Sequence, residues 1–147
     1  MILRIDHIEL VVHDLEEHIA FFETLGFQLV TRTLHHGGSA EMRLPGPDQV
    51  TIEMHQVGAE EVPGCNHIAF AVEDVGQTRE QLLAKGIKFE TNPPAYGGPI
   101  LAKSTGRWLA NFRTPDGWRL QLAGVKREPP GDQVAANPWA EGKTSKT

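Results

Sequence analysis

Four side chains in this sequence could hold a divalent metal: His7, Glu53, His67 and Gln121. Two imidazoles and two side-chain oxygens make an N2O2 set suited to a transition ion. Such a set works only if the fold brings residues this far apart in sequence to one point, so the elements that carry them come next.

An internal repeat supplies those elements. With residue 7 laid on residue 67, "DHIELVVHDLEEHIAFFETLGFQL" faces "NHIAFAVEDVGQTREQLLAKGIKF", and His7, Ile8, Val12, Asp14 and Gly26 match His67, Ile68, Val72, Asp74 and Gly86. Each copy reads as an apolar strand, an Asp at a helix N-cap, an amphipathic helix and a Gly able to end that helix in the left-handed conformation. The tails repeat at another offset: "PDQVTIEMHQV" from Pro47 lies on "PDGWRLQLAGV" from Pro115, placing Glu53 opposite Gln121. Weaker strands are expected near Gln28 to Arg32, Ser39 to Leu44, Lys88 to Thr91 and Trp108 to Arg113, so the unit is βαβββ, twice.

Alternation along the strands then sorts the faces. Ile8, Leu10, Val12 and Ile68, Phe70, Val72 point to the helices, and His7 and His67 point away. In the closing strands Glu53 and Gln121 share that helix-distant face. A lone strand histidine is most often a core or edge residue with a satisfied hydrogen bond. Four polar groups at repeat-equivalent places are better explained by one common partner, because an unpaired buried polar group costs about 1–3 kcal/mol.

These stretches, with "TPDGWRLQL", resemble the vicinal oxygen chelate superfamily of glyoxalase I, methylmalonyl-CoA epimerase, fosfomycin-resistance enzymes, extradiol dioxygenases and bleomycin-resistance proteins, over about residues 5 to 125. The resemblance implies an α+β fold in which two βαβββ modules form a curved mixed-sheet cup with helices on the outer face. It also implies one divalent ion (Ni, Co, Zn, Mn or Fe) held by His7, Glu53, His67 and Gln121, and a homodimer. Gln121 departs from the pattern, since a carboxylate is usual there; an amide can give an oxygen to a metal but cannot take a substrate proton.

The expected activity is that of a metal-dependent lyase or isomerase, with Glu53, the only carboxylate of the set, as general base. Alternatives are a non-haem iron dioxygenase and a non-catalytic drug- or metabolite-binding protein. Arg119, His55 and Trp108 are the expected substrate contacts. Lys103, Ser104 and Arg107 are further candidates in "NPPAYGGPILAKSTGRW", whose Pro and Gly content reads as a loop over the cup. Glu9 and Glu41 share the cup face with His55, and all three read by default as partly exposed sheet residues.

Composition bounds the rest. Fourteen Lys and Arg against nineteen Asp and Glu give a formal net charge of −5, without the basic cluster that nucleic acid demands. One cysteine, Cys65, excludes an internal disulfide, and no apolar run approaches the ~20 residues that span a bilayer. A small-molecule partner, no nucleic acid or membrane partner, and a cytoplasmic location are expected. At 147 residues one domain over 1–127 is expected, with modules at about 3–57 and 64–125 and a polar tail at 128–147.

Overall fold

The structure is a computed structural model that describes residues 1–34, 38–90, 100–102 and 107–124. The first half runs β1 (Ile2–Val12), α1 (Leu15–Thr24), β2 (Gln28–Thr33), β3 (Ser39–Arg43) and β4 (Thr51–Gln56). The second runs β5 (Gly64–Val72), α2 (Val75–Ala84), β6 (Ile100–Ala102), β7 (Arg107–Arg113) and β8 (Arg119–Gly124).

Both helices start as the sequence dictates. Asp14 Oδ1 accepts the Glu17 amide at 3.0 Å and Asp74 Oδ1 accepts the Gln77 amide at 2.9 Å, each satisfying a donor the first turn leaves open. They end at Gly26 and Gly86, whose φ values of 96° and 89° suit a residue without Cβ.

One eight-stranded mixed sheet joins the halves in the order β2-β3-β4-β1-β5-β8-β7-β6. Antiparallel β1 and β5 form its centre with Ile8 opposite Ile68, while β1 pairs with β4, and β5 with β8, in parallel. Each helix covers its own half. Val12, Leu15, Ile19, Ala40, Met42 and Met54 bury together under α1, and Val72, Val75, Phe89, Ala110, Phe112 and Leu122 under α2. The equivalence of Val12 with Val72 and Met54 with Leu122 confirms the alternation, and leaves the opposite face to His7, Glu9, His67 and Gln121, all buried.

Two details differ from expectation. Of the strand expected at Lys88 to Thr91, the described residues 88–90 form a bridge between Phe89 and Phe112, Thr91 lying outside the described residues, and β6 lies within the stretch read as a loop. Phe89 enters the apolar cluster under α2 as a single anchored side chain, which gives this segment burial without a ladder. The rest of the expected loop, at 91–99 and 103–106, and the tail at 128–147 lie outside the described residues.

The β1/β5 ladder also carries three register shifts, two of which flank the histidines. Pairing jumps from Ile5 opposite Phe70 to His7 opposite Ala69, leaving Asp6 extra. It jumps again from Glu9 opposite His67 to Leu10 opposite Cys65, leaving Asn66 extra. A bulge re-aims a side chain, and here each one brings the residue before a histidine round to that histidine's own ring.

Candidate metal centre

His7 and His67 meet edge to face, with ring planes at 77° and Nε2 atoms 3.1 Å apart. Their other nitrogens are anchored by the bulge residues. Asp6 Oδ2 lies 2.7 Å from His7 Nδ1, and Asn66 Oδ1 lies 2.8 Å from His67 Nδ1, where Glu9 Oε2 also approaches to 2.9 Å. An ionised carboxylate only accepts, so both Nδ1 atoms carry hydrogen and, in the neutral rings, both Nε2 atoms carry lone pairs. Two lone pairs facing at 3.1 Å repel unless a cation stands by them. Burial pulls the affinity of His7 for a proton down, but Glu53, Asp6 and Glu9 outweigh it and hold His7 above its ordinary range.

A row of acids crosses the first half. Glu9 of β1 pairs with Glu53 of β4, which pairs with Glu41 of β3. Like charges directly opposite on a sheet destabilise each other, and the cost falls on Glu53. Burial first, and then the charges of Glu9, Glu41 and Asp6, push its carboxyl up to about 7 against the opposing pull of His7, whose Nε2 is 3.6 Å from Glu53 Oε2. Glu9 goes the other way. Burial would raise it, yet hydrogen bonds from His55 and His67 hold it well below the usual carboxylate range. Glu9 is therefore no partly exposed sheet residue: it is buried between two imidazoles, His55 Nδ1 lying 2.9 Å from its Oε1.

In the second half the equivalent positions are uncharged. Gln121 is buried and donates through Nε2 to Asn111 Oδ1 at 3.0 Å, an orientation that leaves its carbonyl oxygen as the end available to a cation. Asn111 is opposite Gln121 in the β7/β8 ladder. Among the described residues, no three or more His, Cys, Asp or Glu side chains surround one point at ligating positions. What converges is the imidazole pair, with Glu53 beside it.

The expected substrate contacts fare differently. Trp108 packs against the apolar cluster under α2, because it shares the parity of Ala110 and Phe112, and so faces away from the histidine pair. His55 is buried with its second nitrogen 2.9 Å from Glu61 Oε1, so carboxylates occupy both sides of its ring and it offers no edge to a substrate. Arg107 turns from solvent and pairs with Asp6. Arg119 keeps the expected face: with Asn66, Arg113 and Trp118 it lines an open cleft of about 510 Å3, its Nε 3.5 Å from a Glu90 oxygen that Arg113 also approaches, at 2.9 Å.

The family profile of the glyoxalase/bleomycin resistance protein/dioxygenase superfamily matches residues 4–122. The chain belongs to this superfamily. Its relatives include the Bacillus subtilis (strain 168) protein YwbC, 30% identical over 125 residues that span 77% of this chain and 99% of that one. Solved structures of the same fold include the Streptomyces coelicolor methylmalonyl-CoA epimerase in complex with 2-nitronate-propionyl-CoA. It has a TM-score of 0.69 at 20% identity and covers 86% of this chain and 100% of that one. The Mycobacterium tuberculosis methylmalonyl-CoA epimerase superposes with a TM-score of 0.67 at 19% identity, covering 86% and 90%. At such identities the likeness speaks for the fold of this superfamily member: paired βαβββ modules with helices on the outer face. No described helix is long and apolar enough to cross a membrane.

Proposed function

We propose that this chain is a metal-dependent lyase or isomerase of the glyoxalase type, removing a proton from the carbon next to a chelated carbonyl or hydroxyl of a small substrate. The observation that carries the reading is the imidazole pair. Two nitrogens bound about 2.0–2.1 Å from one ion stand roughly 2.9–3.4 Å apart at octahedral or tetrahedral angles, and the 3.1 Å between His7 and His67 falls within that span. His7 and His67 would hold the ion, with Glu53 and Gln121, the repeat-equivalent residues of β4 and β8, completing the set. When bound, the ion supplies Lewis-acid stabilisation of negative charge on a substrate oxygen.

The chain's own residues do the rest. Glu53 accepts the proton, being the carboxylate that stands beside the imidazole pair, its Oε2 3.6 Å from His7 Nε2. Burial of the histidine pair keeps water from competing for it. Arg119 and Arg113, sharing the one carboxylate of Glu90, leave donors in the cleft for an anionic substrate group. The ligands named with the structural neighbours are CoA thioesters, which makes α-acidic thioesters the first class to assay, followed by hemithioacetals.

The test is metal analysis of the purified protein together with deuterium uptake from D2O at the α-carbon of such substrates. Stoichiometric Ni, Co, Zn or Mn and exchange at the α-carbon are expected. Absence of any bound or bindable metal would end the proposal. Two imidazoles beside one carboxylate also suit a non-haem iron oxygenase; oxygen uptake with catechols on iron-loaded protein would shift the reading there.

A further inference from the structure

We infer that Arg107 is a positioning residue for His7: it clamps Asp6 so that Asp6 holds His7 Nδ1–H and aims Nε2 at the metal. The inference rests on the metal-site reading above and assigns a role to a residue of the opposite module.

All three donor groups of Arg107 are occupied. Nη1 and Nη2 donate to the two oxygens of Asp6, the Nη2 to Oδ1 contact measuring 2.8 Å, and Nε donates to Gly124 O at 2.9 Å. This planar fork is one that guanidinium forms and ammonium cannot. Asp6 is buried, so a free carboxylate there would otherwise be poorly compensated; among the described residues the other guanidinium near it is that of Arg4, 3.7 Å away and about half exposed. The Oδ2 atom that receives Arg107 is also the one that receives His7 Nδ1. Arg107 therefore fixes where that acceptor sits, and the acceptor fixes the ring. Outer residues of this kind typically matter 10–100-fold to metal affinity.

The arrangement crosses the repeat. Asp6 is an extra residue in the first strand of one module, while Arg107 and Gly124 lie on the last two strands of the other, Arg107 being 101 positions on from Asp6. His67 is likewise steadied from across the repeat, by Glu9. Each imidazole is thus held by a residue of its own strand and steadied further from the other module.

The experiment compares Arg107→Gln and Arg107→Lys with wild type and with Arg32→Gln, which removes an exposed ion pair to Glu16. Two readouts are taken: the Zn2+ dissociation constant by competition titration, and the His7 tautomer in metal-free protein by nitrogen-15 NMR of the imidazoles. Arg107→Gln should weaken Zn2+ about 10–100-fold and reduce the Nδ1–H form of His7 while His67 keeps its own. Arg107→Lys, retaining charge without the fork, should fall between, and Arg32→Gln should match wild type. If Arg107→Gln leaves both readouts within twofold of wild type, the inference is wrong. If that variant does not fold, an Arg107→Lys protein with unaltered His7 tautomer and affinity overturns it equally. A wild type that binds no Zn2+ ends the metal reading alone, and the tautomer still decides the role of Arg107.

Discussion

The Nε2 atoms of His7 and His67 stand 3.1 Å apart, and the ring nitrogen opposite each is held by the residue just before it in sequence, Asp6 or Asn66. Each histidine is thereby presented lone pair first. Replacing either by Ala leaves one nitrogen donor, and His7→Ala or His67→Ala should lose stoichiometric metal, with affinity down at least 100-fold by titration. Equal retention of metal by both variants would place the ion elsewhere.

Glu53 should separate binding from turnover. Glu53→Gln keeps an oxygen for the ion but removes the proton acceptor, so much of the metal should remain while kcat drops about 10²–10⁴-fold, the usual share of general base catalysis. Full activity in this variant would refute the assignment.

The same substitution carries a stability signature in metal-free protein. The folded carboxyl titrates at about 7 and the unfolded one near 4.5, so between those values the folded state binds more protons and stability falls as pH rises. Glu53→Gln should be indistinguishable from wild type below about pH 4.5 and more stable by about 1–3 kcal/mol at pH 8, read from urea melts at the two pH values. A variant less stable than wild type at pH 8 would contradict the half-buried, like-charged setting.

Asp6 has the opposite sign. Burial raises it, but His7 and Arg107 bring its folded pKa far below the unfolded value, so its contribution is present above the ordinary carboxylate pKa of about 4 and lost as pH falls. Asp6→Asn leaves the half-buried Arg107 without its carboxylate and should cost about 1–3 kcal/mol at pH 7. The deficit should shrink in acid, as denaturation midpoints between pH 3 and 7 would reveal; a deficit independent of pH would mean the pair is not the cause.

Asp14→Ala and Asp74→Ala each remove one cap and should cost about 1 kcal/mol, or roughly 2–4 °C in Tm, by calorimetry. Because the two helices pack in separate clusters, the double variant should show the sum. A double variant losing much more than the sum would show that the helices melt together.

Those caps, the repeat and the facing of His7, Glu53, His67 and Gln121 were legible from spacing alone, since strand alternation needs only local pattern. Asp6 and Asn66 were not. By strict alternation each belongs on the helix side, and only the ladder between β1 and β5 creates the bulges that turn them round. The signal was nevertheless present, because the repeat that aligns His7 with His67 also aligns Asp6 with Asn66. Arg107 and Glu9 were read as a loop residue and a sheet residue because their partners are remote in sequence, 101 residues away for Arg107 and 46 for the Glu9 contact with His55. Trp108, expected beside them as a substrate contact, packs against the apolar cluster under α2.

The uneven charge of the two halves gives the interior a handedness. Glu9, Glu53 and Glu41 stand on one wall, and Ala69, Gln121 and Asn111 at the matching places on the other. A molecule held between them meets a proton acceptor on one side and neutral amides on the other. On the proposed reading of Glu53 as the base, the duplication thus offers a proton acceptor to one face of a bound molecule and, at the matching places, side chains that accept no proton at neutral pH.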